Sequence, residues 1–486
     1  MKFMQLTDFP VVLKGVAELS ADGLKLLDKE KFRAELIDEL VHSAVFARDE
    51  NVRQASRWVI WEAAQALGIH SASIHDLYMA RGKEEYKDFC VPAVNIRGLT
   101  YETARAMFRA AAKVKGGPML FEIAKSEMEY TEQRPAEYVS CILAAAIKEN
   151  WQGPVCIQGD HFQVNHKKYE ADPAKEVNSV KALIEEAVAA GFYNIDIDTS
   201  TLVDLDQPTV KAQQRLNYEI AAELTAHVRN HEPQGVTVSV GGEIGEVGGK
   251  NSTVEELEAY LDGYRETLNK VKPGAIGISK ISIQTGTSHG GVPLPDGSVA
   301  QVALDFGVLE NLGKVARQKY GLSGAVQHGA STLPDSAFNH FKTTQTAEVH
   351  LATGFQNLVL DHPALPKDLK ERMYAWLKVN CAKENKPGQT EQQFFYKTRK
   401  KVYGPYKCEM WRMAPDAQGA IMKDLEAKFS FLFEQLGVPG SKALADKFLH
   451  PKPVKHAIPK ALGDMLADPN AFGLEHGVEV DAPGAD

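Results

Sequence analysis

The sequence predicts an α/β chain: a (β/α)8 TIM barrel with helical extensions at both ends. Three observations carry this. From Cys90 onward, eight short β-branched, strand-like runs alternate with amphipathic stretches of helix length. The eight units span roughly 270 residues, close to the size of such a barrel. The turn after the first run lacks the Gly-x-Gly-x-x-Gly pattern that would favour an open doubly wound sheet.

Taken in order, the strands are expected at 91–96, 119–124, 155–160, 194–198, 237–241, 275–283, 324–327 and 357–361. Apolar residues at helical spacing predict helices at 101–114, 136–149, 174–190, 213–230, 254–271, 308–320 and 335–353. Gly191, Gly274 and Gly354 each follow such a stretch and read as helix stops leading into strands. Before the barrel, 24–80 reads as helices with an apolar stripe through Leu27, Phe32, Leu36, Leu40, Val59, Trp61, Ala64 and Leu67. Beyond it, 365–486 is mainly helical, at 369–383, 416–436 and 440–448, with a Pro/Gly/Asp tail. The expected division is therefore 1–88, a catalytic barrel at 89–364, and 365–486, the two ends serving packing or oligomerisation.

At 486 residues, 44% hydrophobic and 24% charged, the composition is that of an ordinary globular protein. A formal charge of -9, with no basic block, argues against nucleic-acid and anionic-membrane partners and for a small molecule. The five cysteines form no Cys-x-x-Cys pair, which disfavours a disulfide framework or a cysteine zinc site and predicts a reducing, cytoplasmic setting. The N-terminus lacks an apolar signal segment, and no run is long enough to span a membrane.

Three histidines stand where strand-like runs end. They lie in Val155-Cys-Ile-Gln-Gly-Asp-His161, in Ile281-Ser-Ile-Gln-Thr-Gly-Thr-Ser-His289-Gly-Gly, and in Ala325-Val-Gln-His328-Gly-Ala-Ser331. In a parallel barrel these ends share the face that carries the chemistry, and three neutral imidazoles with an open position make a catalytic zinc site. Neighbouring strand residues point to opposite faces, so Asp160 and His161 reach one site only where that alternation breaks. Further carboxylates fall at strand ends at Asp198, Glu243 and Asp361, and Glu122 falls inside the second strand; buried, they need partners or a metal. The glycines after His289 and His328, with Ser331, offer bare backbone N–H groups and a hydroxyl to an anion.

These motifs resemble the class II, metal-dependent ketose-bisphosphate aldolases of the fructose- and tagatose-bisphosphate kind, over residues 91 to about 361. Val91-Pro-Ala-Val-Asn95 looks like the family's opening strand, with Asn95 among the substrate contacts. Asp160-His161 resembles the pair that supplies the proton-transferring Asp and the first zinc ligand. Ile195-Asp-Ile-Asp198-Thr-Ser and Gly242-Glu243-Ile-Gly245 resemble motifs whose acids serve a second metal position. Gly286-Thr-Ser-His289-Gly290 and His328-Gly-Ala-Ser331 resemble those giving the second and third zinc histidines, with phosphate contacts at Gly290, Gly329 and Ser331. The resemblance implies Zn2+ or another divalent metal, a phosphorylated sugar substrate and a role in carbohydrate metabolism such as glycolysis; the terminal helices are expected to build a homodimer or higher homo-oligomer.

The sequence also departs from the family. Lys250-Asn251 stand where acids are usual, so Glu122 or Glu246 is expected as second proton shuttle. The family's strand-eight Asn-Ile-Asp-Thr reads as Val359-Leu-Asp361-His362, keeping only Asp361 for the substrate. The basic Lys250 and His362 then predict a phosphorylated or otherwise anionic ketose, not necessarily fructose 1,6-bisphosphate, on which poor activity is expected. Phe121-Glu-Ile-Ala-Lys-Ser-Glu and Gly159-Asp-His-Phe-Gln-Val-Asn165 resemble the larger, non-catalytic-type subunit of tagatose-bisphosphate aldolase. The expected function is a metal-dependent aldolase working through a zinc-stabilised enediolate, with Asp160 moving the proton. The alternatives are a non-catalytic aldolase partner and a Schiff-base (class I) aldolase using Lys280.

Overall fold

A computed structural model describes residues 2–20, 22–245, 249–286, 294 and 304–468. Eight parallel strands close into a barrel, each paired with the next and the last with the first. In chain order they are β1 (Val91–Asn95), β2 (Leu120–Ala124), β3 (Cys156–Gln163), β4 (Asn194–Asp198), β5 (Ser239–Glu243), β6 (Lys280–Ile283), β7 (Ala325–Gln327) and β8 (Glu348–Leu351). Around them run α1 (Thr100–Lys113), α2 (Pro135–Lys148), α3 (Pro173–Ala190), α4 (Arg215–His231), α5 (Val254–Val271) and α6 (Phe306–Tyr320). Asp172 caps α3, a Thr253/Glu256 capping box opens α5, and Asp305 caps α6. Gly191 ends α3 at φ 112, a left-handed conformation that the absence of a Cβ permits.

Seven strands lie where the sequence places them, within a few residues. The eighth does not. The stretch expected as one helix at 335–353 contains a short helix, Asn339–Thr343, and then β8, which pairs with β1 and β7. The run read as strand eight, 357–361, instead lies in a helix, α7 (Thr353–Asp361), with Gly354 inside it. The cause is the polarity of β8: Val349 and Leu351 alternate with Glu348 and His350, two polar residues turned into the barrel. In α7, Phe355, Val359 and Leu360 are buried at helical spacing, a short apolar run that reads equally well as a strand.

The backbone divides into two compact units, 70–452 and a smaller one formed by 1–69 with 453–486. The smaller unit holds an antiparallel hairpin, Ala17–Ser20 with Gly23–Leu26, where only helices were expected. In it, the indoles of Trp58 and Trp61 donate to the carbonyls of His456 and Val454. In the larger unit, the helix His75–Gly82 meets the barrel: Tyr78 hydrogen-bonds the Glu348 carboxylate, and Arg81 donates to the Phe89 and Thr346 carbonyls.

That Glu348 belongs to a charged interior. Lys280 is 2.9 Å from Asp196 and 2.6 Å from Glu348, and Gln158 bridges Lys280, Glu348 and Glu122. Gly241 leaves the space this needs, because a Cβ there would overlap the Asp196 carboxylate and come within 2.8 Å of Lys280 Cε. Gly241→Ala is therefore expected to cost on the order of 3 kcal/mol by crowding and disturbing a buried ion pair. An unchanged denaturation midpoint would contradict that packing.

Candidate active site

The site begins with a break in β3. The β3–β4 register shifts between Gly159 and Phe162, and His161 takes φ 40, in the left-handed region. The bulge turns two consecutive side chains, Asp160 and His161, to the same side, which regular alternation forbids. Gly159 is required beside it, since a Cβ would strike the Phe162 ring.

Around Asp160 three imidazoles gather. Its Oδ1 lies 3.8 Å from His161, 3.6 Å from His328 and 3.4 Å from His350, while Oδ2 accepts from Asn95 at 2.8 Å. The His328 ring centre is 4.3 Å from that of His161 and 4.0 Å from that of His350. His161 Nδ1 meets Asp198 at 2.9 Å and Glu243 at 3.4 Å. Asp198 also accepts from Gln163, and from Ser200 through both its backbone N–H and its hydroxyl. His350 is held between Glu122 at 3.0 Å and Glu348 at 2.7 Å.

The electrostatics follow from this crowding. Burial works against ionising Asp160, yet the His161 charge and the close approach of His328 and His350 hold its carboxyl well below the usual range. Burial, with the charges of His350 and His161, pushes His328 well down, leaving it a neutral ligand-type imidazole. Against burial, Asp160 and Glu243 hold His161 well up, and Glu122 and Glu348 do the same for His350. Burial raises Glu122 to about 8 and Glu243 to about 7, with Asp160 and Asp198 respectively adding to the rise.

Six buried carboxylates, those of Glu122, Asp160, Asp196, Asp198, Glu243 and Glu348, therefore share the interior with Lys280 and three histidines. Burial pushes three of them toward protonation, Glu122, Glu243 and Asp196, the last to about 6, as expected of a donor set suited to a divalent cation. His161, Glu243 and His328 offer ligand atoms within 4.8 Å of one another, as do Asp160, Asp196, His328 and His350. The first group fits a metal better, because carboxylates engage both ring nitrogens of His350.

A cavity of about 360 Å³ opens over these groups and is lined by Asn95, Asp160, His161, His328, Gly329, Ser331 and His350, among others. Asp198 and Glu243 stand behind His161 and are not among its walls; Glu122 stands behind His350. His289, Gly290 and Glu246 lie outside the described residues.

Several expectations need correction. Asp361 ends α7, where Arg399 binds both its oxygens at 2.8 Å, so it is not at a strand end facing substrate. His362 bonds Asp424 and Lys250 pairs with Glu256 at 2.8 Å, so neither lines the cavity. Strand eight ends at His350 and Leu351, with Ala352 and Thr353 next at the rim of the cavity. Lys280 is buried, and against that burial Asp196 and Glu348 hold it above its ordinary range, charged rather than nucleophilic. His350, Glu348 and Asp196 were missed; the polar residues at 348 and 350, alternating with Val349 and Leu351, were the available signal.

Comparison with known proteins agrees with this architecture. A family profile described as Fructose-bisphosphate aldolase class-II matches residues 80–432. A structure described as a probable tagatose 6 phosphate kinase from Sinorhizobium meliloti 1021 is similar over 79% of this chain and 99% of its own, with 19% identity and TM-score 0.50. The fructuronate-tagaturonate epimerase UxaE from Cohnella laeviribosi matches over 73% and 82%, with 12% identity and TM-score 0.50. A fructose-bisphosphate aldolase from Campylobacter jejuni matches over 76% and 96%, with 19% identity and TM-score 0.44. At these identities the two likenesses with TM-score 0.50 speak for the fold alone. Comparison with curated proteins returns no match. Among the described residues, no helix is long and apolar enough to cross a membrane.

Proposed function

Since this chain belongs to the class-II fructose-bisphosphate aldolase family, we propose that it is a metal-dependent lyase that breaks or forms a C–C bond in a phosphorylated ketose. The carrying observation is the β3 bulge, which sets the ionised Asp160 among His161, His328 and His350 at the floor of a substrate-sized cavity. His161, His328 and Glu243 would hold the metal together with His289, zinc being the first choice for such donors. The bound ion supplies Lewis acidity to the substrate carbonyl.

The chain's own groups do the rest. Asp160, with one oxygen tied to Asn95, takes or returns the proton of the substrate hydroxyl through the other. Asp198 fixes the ring of His161 and is itself saturated by Ser200 and Gln163, which suits an orienting role better than a second metal position. His350, kept as imidazolium by Glu122 and Glu348, places positive charge where substrate oxygens become negative. Glu122 reaches the cavity through that ring, as a source of protons one step removed. Gly329, at φ 69, and Ser331 offer a backbone N–H and a hydroxyl to a phosphate.

The test is retro-aldol cleavage of a panel of phosphorylated ketoses, with and without chelator. Cleavage is expected to stop in chelator and to return with Zn2+, and borohydride should trap no imine on Lys280. Chelator-resistant cleavage with a trapped imine would establish the Schiff-base mechanism instead. A purified chain with far less than one metal per molecule and no cleavage of any ketose would favour the non-catalytic partner.

A further inference from the structure

The 365–452 segment reaches the cavity at one point. The short helix Arg399–Val402 presents three consecutive cations, Arg399, Lys400 and Lys401. Arg399 is bound by both oxygens of Asp361, and Lys401 lies 2.5 Å from Glu384. Lys400 alone of the three lines the cavity, and among the described residues no carboxylate lies within ion-pair distance of it. Its ammonium sits 5.4 Å from the centre of the Tyr130 ring, and the Tyr130 hydroxyl is buried with no hydrogen-bond partner among the described residues.

Of the other cations lining the cavity, Lys168 is exposed, and the two more buried ones are already paired. Arg97 donates to Glu127 and Gln356, and Lys125 to Glu176 and the Gln163 carbonyl. A half-buried ammonium without a counter-ion, beside a buried hydroxyl without a partner, is costly unless a ligand supplies anionic oxygens to both. Burial and the Arg97 charge lower the Lys400 ammonium from its ordinary value, opposed only in part by the more distant Glu127 and Glu384.

We propose that Lys400 and Tyr130 form an anion subsite that binds the charged end of the substrate remote from the reacting carbonyl, a terminal phosphate or carboxylate. The C-terminal segment thereby sets substrate specificity. The assignment rests on the cavity being the substrate site, as proposed above. It is separate from the Gly329 and Ser331 contacts, which come from the loop after β7.

The experiment is calorimetric titration of inorganic phosphate, and separately of D-glycerate, into the full-length chain and its Lys400→Met, Lys400→Arg and Tyr130→Phe variants. Losing a charge-assisted contact should weaken binding of the favoured anion about tenfold or more in Lys400→Met and several-fold in Tyr130→Phe, with Lys400→Arg within about threefold of wild type. The anion that responds more tells a phosphorylated sugar from a sugar acid. Equal affinities of wild type and Lys400→Met for both anions would overturn the subsite. Should Lys400→Met lose its native circular dichroism, Tyr130→Phe decides: unchanged affinity for both anions overturns the proposal and weakened binding supports it. Because binding is read without turnover, loss of the lyase reading and loss of the subsite remain distinguishable.

Discussion

His328→Ala is expected to strip the metal from the protein and to lower turnover by about 10³-fold or more, with the barrel still folded. The residue stands between His161 and His350, is almost fully buried, and is shared by the two ligand groups at the floor of the cavity. Its neutral ring needs no proton removed before it can ligate. His161→Ala should behave alike, with the added effect that Asp198 and Glu243 lose the cation between them. Metal analysis beside circular dichroism checks both. Full metal occupancy in His328→Ala would remove that residue from the ligand set.

Asp160→Asn should do something different. The amide keeps the shape, so metal is expected to stay bound while turnover falls by ~10²–10⁴, the range of a lost general acid–base group. The Asn95 bond to Oδ2 is kept if the amide flips to present its carbonyl oxygen there. Single-turnover cleavage with metal content measured in the same sample separates the two roles. Metal lost in proportion to activity would make Asp160 a ligand, and unchanged turnover would end its assignment altogether.

The barrel and most of its strands were legible because buried parallel strands are β-branched runs and their helices are amphipathic, both one-dimensional patterns. Strand eight was not, for the same reason in reverse. Glu348 and His350 face a charged interior, so the strand lacks the apolar signature, and the neighbouring α7 carries a run that imitates it. That error displaced Asp361 and His362 into the site and left His350 out of it.

The sequence by itself determined which residue types stand at the strand ends, and through them Asp160, His161 and His328 as candidates, because strand order brings those ends to one rim. Only the tertiary structure decided how they meet. The bulge that turns Asp160 and His161 together depends on β3's pairing with β4, and the charged state of His350 depends on Glu122 from β2 as well as on Glu348 in its own strand. Lys400, some seventy residues after His328 in the chain, enters the cavity from outside the barrel strands. Such placements depend on partners distant in sequence, and local patterns of polarity do not encode them.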